Sequence, residues 1–230
     1  MEIKLITQPL EEVAADALVV LAFEQEEGAA PAPPAAARDW FEELYRSGEF
    51  KGKMLEMALL HRPAGLHAQR LLAVGGGKAA KFGAAELRRA TGAALRCLKP
   101  KGARSIVLWL DGGRVTEENV AAAVEGAILG DYEPDRYKTE GRDEKKTVDS
   151  FALAAAAWTP ALEDAAWRGR IVAESQNFAR DLVSEPGNRL TPSVLAGRAR
   201  EMAAAHGLEC DVLDRDRMRE LGMGALLGVA

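Results

Sequence analysis

The run with the clearest chemical potential is Gly75-Gly76-Gly77-Lys78, which follows an apolar strand-like segment and precedes a helical one. Glycine amides with no side chain in front of them can donate to phosphate oxygens, so this loop could cradle an anion. A P-loop requires Ser or Thr after the lysine, whereas Lys78 is followed by Ala79, and the dinucleotide pattern is absent as well. The reading that remains is a tight strand-to-helix turn that needs permissive glycines.

The other polar groups suggest little chemistry. His61, His67 and His206 are scattered, and no His-Glu-x-x-His spacing places two imidazoles on one helical face. His206 reads as a last-turn residue of a helix. Asp211, Asp214 and Asp216 form the densest carboxylate cluster, with Asp211 on the wet face of a strand and Asp214 as a helix cap, so they read as solvated. Asp181 and Glu185 lie four residues apart and would share a surface helical face. Cys97 and Cys210 sit in apolar-periodic contexts and read as two buried, reduced thiols. There is no Gly-x-Ser-x-Gly elbow and no Cys and His pairing suited to a nucleophile.

The elements that would position these groups alternate between strand and helix, the pattern of an α/β layer structure. Strands are expected at Ile3–Thr7, Ala17–Phe23, Met54–Leu60, Arg70–Gly75, Ser105–Leu110 and Val148–Ala154. Leu87, Ala90, Ala94, Leu95 and Leu98 recur at helical spacing, as do Val120, Val124, Ala127 and Ile128, the latter behind a Thr116 cap. Glu24–Pro34 and Tyr132–Lys146 read as surface connections.

After about residue 160 a single long helix is expected from Ala161 to Val183, with Ile171, Phe178 and Leu182 on one stripe and Pro186-Gly187 as its stop. Thr191 and Pro192 then open a helix whose buried stripe is Leu195, Ala199, Met202 and His206, ending at Gly207. Alternation over Leu208, Cys210 and Val212 predicts a strand, Arg215–Leu221 a short helix, and Ala225–Ala230 the beginning of a further strand. Helix, strand, helix, strand is the start of a second α/β unit that does not close a core by itself, so the sequence reads as truncated there.

With 230 residues, 48% of them hydrophobic, the chain can bury a substantial core. A net charge of −5 offers no broad cationic surface for phosphates, so nucleic-acid binding is not expected. The start of the sequence lacks a secretory signal, and no apolar stretch approaches the roughly 20 residues that span a bilayer, so a cytoplasmic protein without membrane association is expected.

The run from Asn177 to Pro192, Asn-Phe-Ala-Arg-Asp-Leu-Val-Ser-Glu-Pro-Gly-Asn-Arg-Leu-Thr-Pro, resembles the linker signature of leucyl aminopeptidases, the cytosol aminopeptidase family. Leu221 to Ala230 resembles the entry to that family's catalytic domain. Weaker similarity runs upstream through Phe50-Lys51-Gly52-Lys53, Leu72-Ala73-Val74-Gly75, Gly130-Asp131-Tyr132 and Tyr137-Lys138. The resemblance implies an α/β fold with a mixed, macro-domain-like sheet flanked by helices over residues 1–160, a linker helix and turn over 161–190, and a partial second α/β unit over 191–230, the start of a truncated catalytic domain. It implies a parent enzyme that removes amino-terminal residues from peptides with two divalent metals, manganese or zinc, and that assembles as a homo-hexamer.

The family's ligands lie in motifs resembling Lys-Gly-Ile-Thr-Phe-Asp and Asn-Thr-Asp-Ala-Glu-Gly-Arg, and neither occurs here. No catalytic, cofactor-binding or metal-binding residue is therefore carried over, no cofactor is expected in this chain, and the chain alone is expected to be inactive. Its expected partner is the missing carboxy-terminal catalytic domain. The alternative is a stand-alone macro-like module that binds a nucleotide-type ligand at the glycine loop, or a macromolecular partner.

Overall fold

A computed structural model of the chain describes residues 1–25, 35–134 and 146–229. The chain divides into two units, Met1–Phe178 and Ala179–Ala230. In the first, six strands form one sheet: β1 (Glu2–Ile6), β2 (Ala17–Ala22), β3 (Met57–His61), β4 (Arg70–Gly75), β5 (Ser105–Trp109) and β6 (Ser150–Ala154). Their order is β1-β6-β5-β2-β4-β3, parallel throughout except for the antiparallel edge strand β3 on β4. The mixed sheet flanked by helices that the sequence implies is present.

The central strands are apolar on both sides because both faces are covered. On one face Val19, Leu72, Ile106, Leu108 and Phe151 pack against α2 (Ala84–Leu98), α3 (Glu117–Asp131) and the first turns of α4 (Pro160–Ser184). On the other face Leu18, Val20, Leu71 and Val107 pack with Phe50 and with Phe41 of α1 (Arg38–Ser47). Phe41 is the buried anchor of α1, a helix for which the sequence reading had no counterpart.

The cap expected at Thr116 is in place, and a second one, for which there was no expectation, closes α2. Thr116 accepts a hydrogen bond from the Asn119 amide at 3.2 Å, and Glu86 Oε2 accepts one from the Gly83 amide at 3.1 Å, closing the first turns of α3 and α2.

The helices pack closely through glycines. A Cβ on Gly126 of α3 would overlap the Arg88 carbonyl oxygen of α2, and one on Gly130 would lie 2.7 Å from the Gly92 Cα. Arg88–Glu125, Gly92–Gly130 and Lys99–Asp131 advance together along both helices, so α2 and α3 run in the same direction. Beyond the end of α2, the Lys99 ammonium donates to the Asp131 carbonyl oxygen at 2.7 Å and pairs with the Asp131 carboxylate at 2.8 Å, capping the negative end of α3. Desolvation lowers the Lys99 pKa, but hydrogen bonds to Asp131 and Glu133 outweigh it and hold the pKa above its ordinary value.

The long helix corrects the expected stripe. In the first unit α4 buries Leu162, Ala165, Ala166, Gly169 and Ala173, a row of mostly small side chains. A Cβ on Gly169 would lie 2.5 Å from the Ala121 carbonyl oxygen of α3, so a larger residue has no room. Ile171 and Phe178 instead stand 41% exposed on the opposite side of the helix.

The second unit contains the end of α4 and three further helices, α5 (Pro192–His206), α6 (Arg215–Glu220) and α7 (Gly224–Val229). Thr191 caps α5 by accepting from the Val194 amide, and Gly207 ends it at a φ of 67°. Asp214 caps α6 through the Arg217 amide at 2.8 Å.

Three expectations fail here. Residues 208–214 form no strand, Ala225–Ala230 is not a strand because the described part of it is helical in α7, and Leu195 and Met202 are exposed while Ala203 is the apolar residue α5 buries. The reason is common to all three: among the described residues of this unit there is no strand to pair with and no sheet face to cover an apolar stripe.

Candidate functional site

In an open, largely parallel sheet, ligands bind outside the carboxyl ends of the strands. Here that crest lies where β2 runs into Phe23, β4 into Gly75-Gly76-Gly77, and β5 into Asp111 and Arg114. The chain's own groups fill it. Gly75 donates its amide to the Glu56 carbonyl at 2.8 Å, Gly76 to the Ala22 carbonyl at 2.6 Å, and Gly77 to the Gly52 carbonyl at 2.8 Å. All three glycine amides that could have held a phosphate are spent on neighbouring backbone.

Glycine is nevertheless required at these positions. A Cβ on Gly75 would overlap the Lys53 carbonyl oxygen, one on Gly76 would stand 2.5 Å from the Phe23 ring, and Gly77 has a φ of 72°. The tight-turn reading therefore describes the loop better than the anion cradle.

Above it, the Phe23 and Phe82 rings meet edge to face with centroids 5.0 Å apart. The Arg114 guanidinium lies 4.2 Å from the Phe23 ring centroid and is ion-paired with Asp111, leaving the arginine side chain only 14% exposed. The Tyr45 hydroxyl donates to the Phe23 carbonyl at 2.5 Å, and burial pushes its phenol pKa up. Lys51 and Lys53 donate their amides to Glu56 Oε2 at 2.8 and 3.1 Å, which ties the Phe50–Lys53 segment against the same loop.

The crest thus holds a cation–π stack and a closed hydrogen-bond set, with no nucleophile and base brought together among the described residues. Only the glycines of this cluster were singled out in the sequence. Phe23, Phe82 and Arg114 lie 91 residues apart from first to last, and no local spacing signals their meeting.

The other singled-out residues do not converge. His61, His67 and His206 are exposed on separate elements. Asp214 serves as a cap, Asp216 pairs with Arg219 at 2.5 Å, and Asp211 is exposed on a segment that is not a strand.

Cys97 is half-buried on α2, but Cys210 is exposed, because the strand that would have buried it does not form. Glu185 also departs from the surface reading: its side chain is 1% exposed and its carboxylate is held by Arg198 at 2.8 Å. Among the described residues no three or more His, Cys, Asp or Glu are arranged to hold a metal ion, and no helix is long and apolar enough to cross a membrane. The expected loops Glu24–Pro34 and Tyr132–Lys146 lie largely outside the described residues, as do Tyr137 and Lys138.

Comparison with known proteins adds what the geometry does not supply. The family model described as "Cytosol aminopeptidase family, N-terminal domain" matches residues 19–141, more than half of the chain. The chain belongs to the cytosol aminopeptidase family. The model of that family's catalytic domain matches residues 177–230.

A probable cytosol aminopeptidase of Solibacter usitatus is 53% identical over 230 residues, covering all of this chain and 45% of the relative. One from Koribacter versatilis is 36% identical, covering 100% of this chain and 49% of its own length. The chain therefore spans about half the length of these curated relatives.

Among solved structures, the bottromycin maturation enzyme BotP in complex with Mn matches with a TM-score of 0.68 at 30% identity, over 91% of this chain and 40% of that one. A mutant of tomato leucine aminopeptidase shares the fold with a TM-score of 0.77 at 24% identity, over 96% of this chain and 46% of that one. Nothing in these comparisons supports the stand-alone nucleotide-binding module, and the spent glycine amides oppose it.

Proposed function

We propose that this chain is the non-catalytic amino-terminal portion of a metal-dependent leucyl aminopeptidase of the cytoplasm. In this reading residues 1–160 are the amino-terminal α/β domain, 161–190 the linker helix and turn, and 191–230 the first part of the catalytic domain. The observation that carries it is the order of the family matches: the amino-terminal domain over 19–141, then a catalytic-domain match that begins at 177 and contains neither metal-ligand motif.

The residues present do not fit a metal. Asp214 is engaged in a cap and Asp216 and Glu185 in ion pairs, and no ligand set forms among the described residues. In this reading the two divalent metals, manganese or zinc, and the cleavage of the first peptide bond belong to the remaining half of the parent; the Mn complex of BotP supports the metal dependence.

What this chain contributes is surface. Leu195, Leu208, Leu221 and Leu226 are 44 to 59% exposed, apolar side chains available to pack against the rest of a catalytic domain. A homo-hexamer is the assembly proposed for that parent.

The test is an assay of the purified chain on a leucyl amide substrate with added manganese or zinc. The expected result is no turnover above a metal-only control, and turnover above it would overturn the assignment.

A further inference from the structure

Among the described residues, the β3 edge of the sheet carries no further strand. Arg62 donates its amide to the Gln69 carbonyl at 2.8 Å, which fixes the phase of the antiparallel ladder. Bonded pairs alternate along such a ladder, so Leu60 and Ala58 face β4, while Met57, Leu59 and His61 turn their amides and carbonyls away from it. No described strand pairs with that side. An edge of this kind is a template for another extended chain.

Beside it, α1 and β3 enclose a groove of about 200 Å³ lined by Trp40, Glu43, Leu44, Ser47, Glu49 and Leu60. Trp40 is fixed by donating its indole N–H to the Ala64 carbonyl at 3.1 Å, so the apolar wall is preformed. The charged groups on the groove are Glu43 and Glu49, with no cation among the six lining residues.

We propose that this groove and the free edge of β3 bind an extended peptide segment of alternating apolar and basic residues by strand addition. Backbone bonds to Met57, Leu59 and His61 hold the segment. Its lysines or arginines lie on the groove side, their alkyl stems on Trp40, Leu44 and Leu60 and their charges at Glu43 and Glu49, while its alternate apolar side chains lie on the opposite face beside Met57 and Leu59. The charge selects this occupant over a second copy of the chain, because two-fold pairing of β3 with itself brings the carboxylates of both grooves toward each other. The inference is independent of the aminopeptidase assignment.

The test is amide hydrogen exchange on the 230-residue chain with a capped peptide alternating lysine and valine. Controls are a glutamate and valine peptide and a lysine and valine peptide N-methylated at alternate residues. The expected result is at least about tenfold slower exchange at Met57, Leu59 and His61 with the first peptide alone. The Glu43→Lys, Glu49→Lys double variant should weaken binding at least about tenfold with an unchanged melting temperature.

Absence of protection at millimolar peptide overturns the site. Equal protection by the glutamate peptide overturns the charge selection. Edge protection that rises with protein concentration and no peptide assigns the edge to a second copy instead. If the double variant fails to fold, the three peptides on the unaltered chain still decide the matter.

Discussion

Asp16 stands one residue before β2 and holds the start of β5 at Ser105, 89 positions away along the chain. Its carboxylate accepts the Arg104 amide at 2.7 Å and the Ser105 amide at 3.0 Å, while the Ser105 hydroxyl accepts the Asp16 amide at 2.9 Å. Desolvation raises its pKa, but the hydrogen bonds from Ser105 and Arg104, with the charge of Arg70, outweigh it and leave the pKa below the ordinary value. A group depressed in the folded state stabilises fully above its unfolded pKa, near 4 for Asp, and loses that contribution as the pH falls through the folded value.

Asp16→Asn keeps the shape and removes the charge. It should cost about 1.5 kcal/mol at pH 7, the lower end for hydrogen bonds to charged groups because the site is part-exposed. That corresponds to a melting temperature lower by about 3–6 °C in a chain of this size. Thermal melts of both proteins from pH 7 to pH 2 should show the gap closing in acid, and a constant gap would contradict the role given to the charge. Sequence alone gives no hint of this residue, because its function depends on strand order. By contrast Thr116, Thr191 and Asp214 were legible as caps, since a cap acts on an amide three residues away.

At the scale of elements, legibility followed the range of the force that makes each one. Ala17–Phe23 and Ser105–Leu110 were visible because strands buried on both faces need unbroken apolar runs, and these became β2 and β5. The alternation at Leu208, Cys210 and Val212 has the right period, but a strand is stable only when paired, and no partner is at hand among the described residues. The stripe of Ile171 and Phe178 was real in period but assigned to the wrong side, because the packing face of α4 is selected by the glycine-sized space against α3.

Glycine therefore has opposite meanings on two helices. Gly126→Ala forces a methyl into the Arg88 carbonyl and should destabilise by about 1–3 kcal/mol, as overpacking does. Gly197→Ala, in α5 with nothing within 4 Å, should stabilise by about 0.5–1 kcal/mol through helix propensity alone. Chemical denaturation of the two variants checks both signs, and a destabilised Gly197→Ala would mean that the α5 surface is covered.

At the scale of the whole molecule the two units differ in how much they bury. The first carries two clusters of buried apolar side chains, one on each face of its sheet. In the second, among the described residues, Ala203 and Glu185 are the buried ones, while Val183, Leu208 and Val229 are 87, 59 and 89% exposed. Opening free energy follows buried apolar contact, so helices α5 to α7 should open far more readily than the sheet.

Limited proteolysis should cleave beyond Ser184 first and leave a protected fragment retaining all six strands. Hydrogen exchange should reach completion in α5 to α7 while β2, β4 and β5 remain protected. Protection of α5 to α7 equal to that of β5 would show that this unit is stable by itself, and the exposed side chains of Leu195, Leu208, Leu221 and Leu226 would then need no further half of a catalytic domain to cover them.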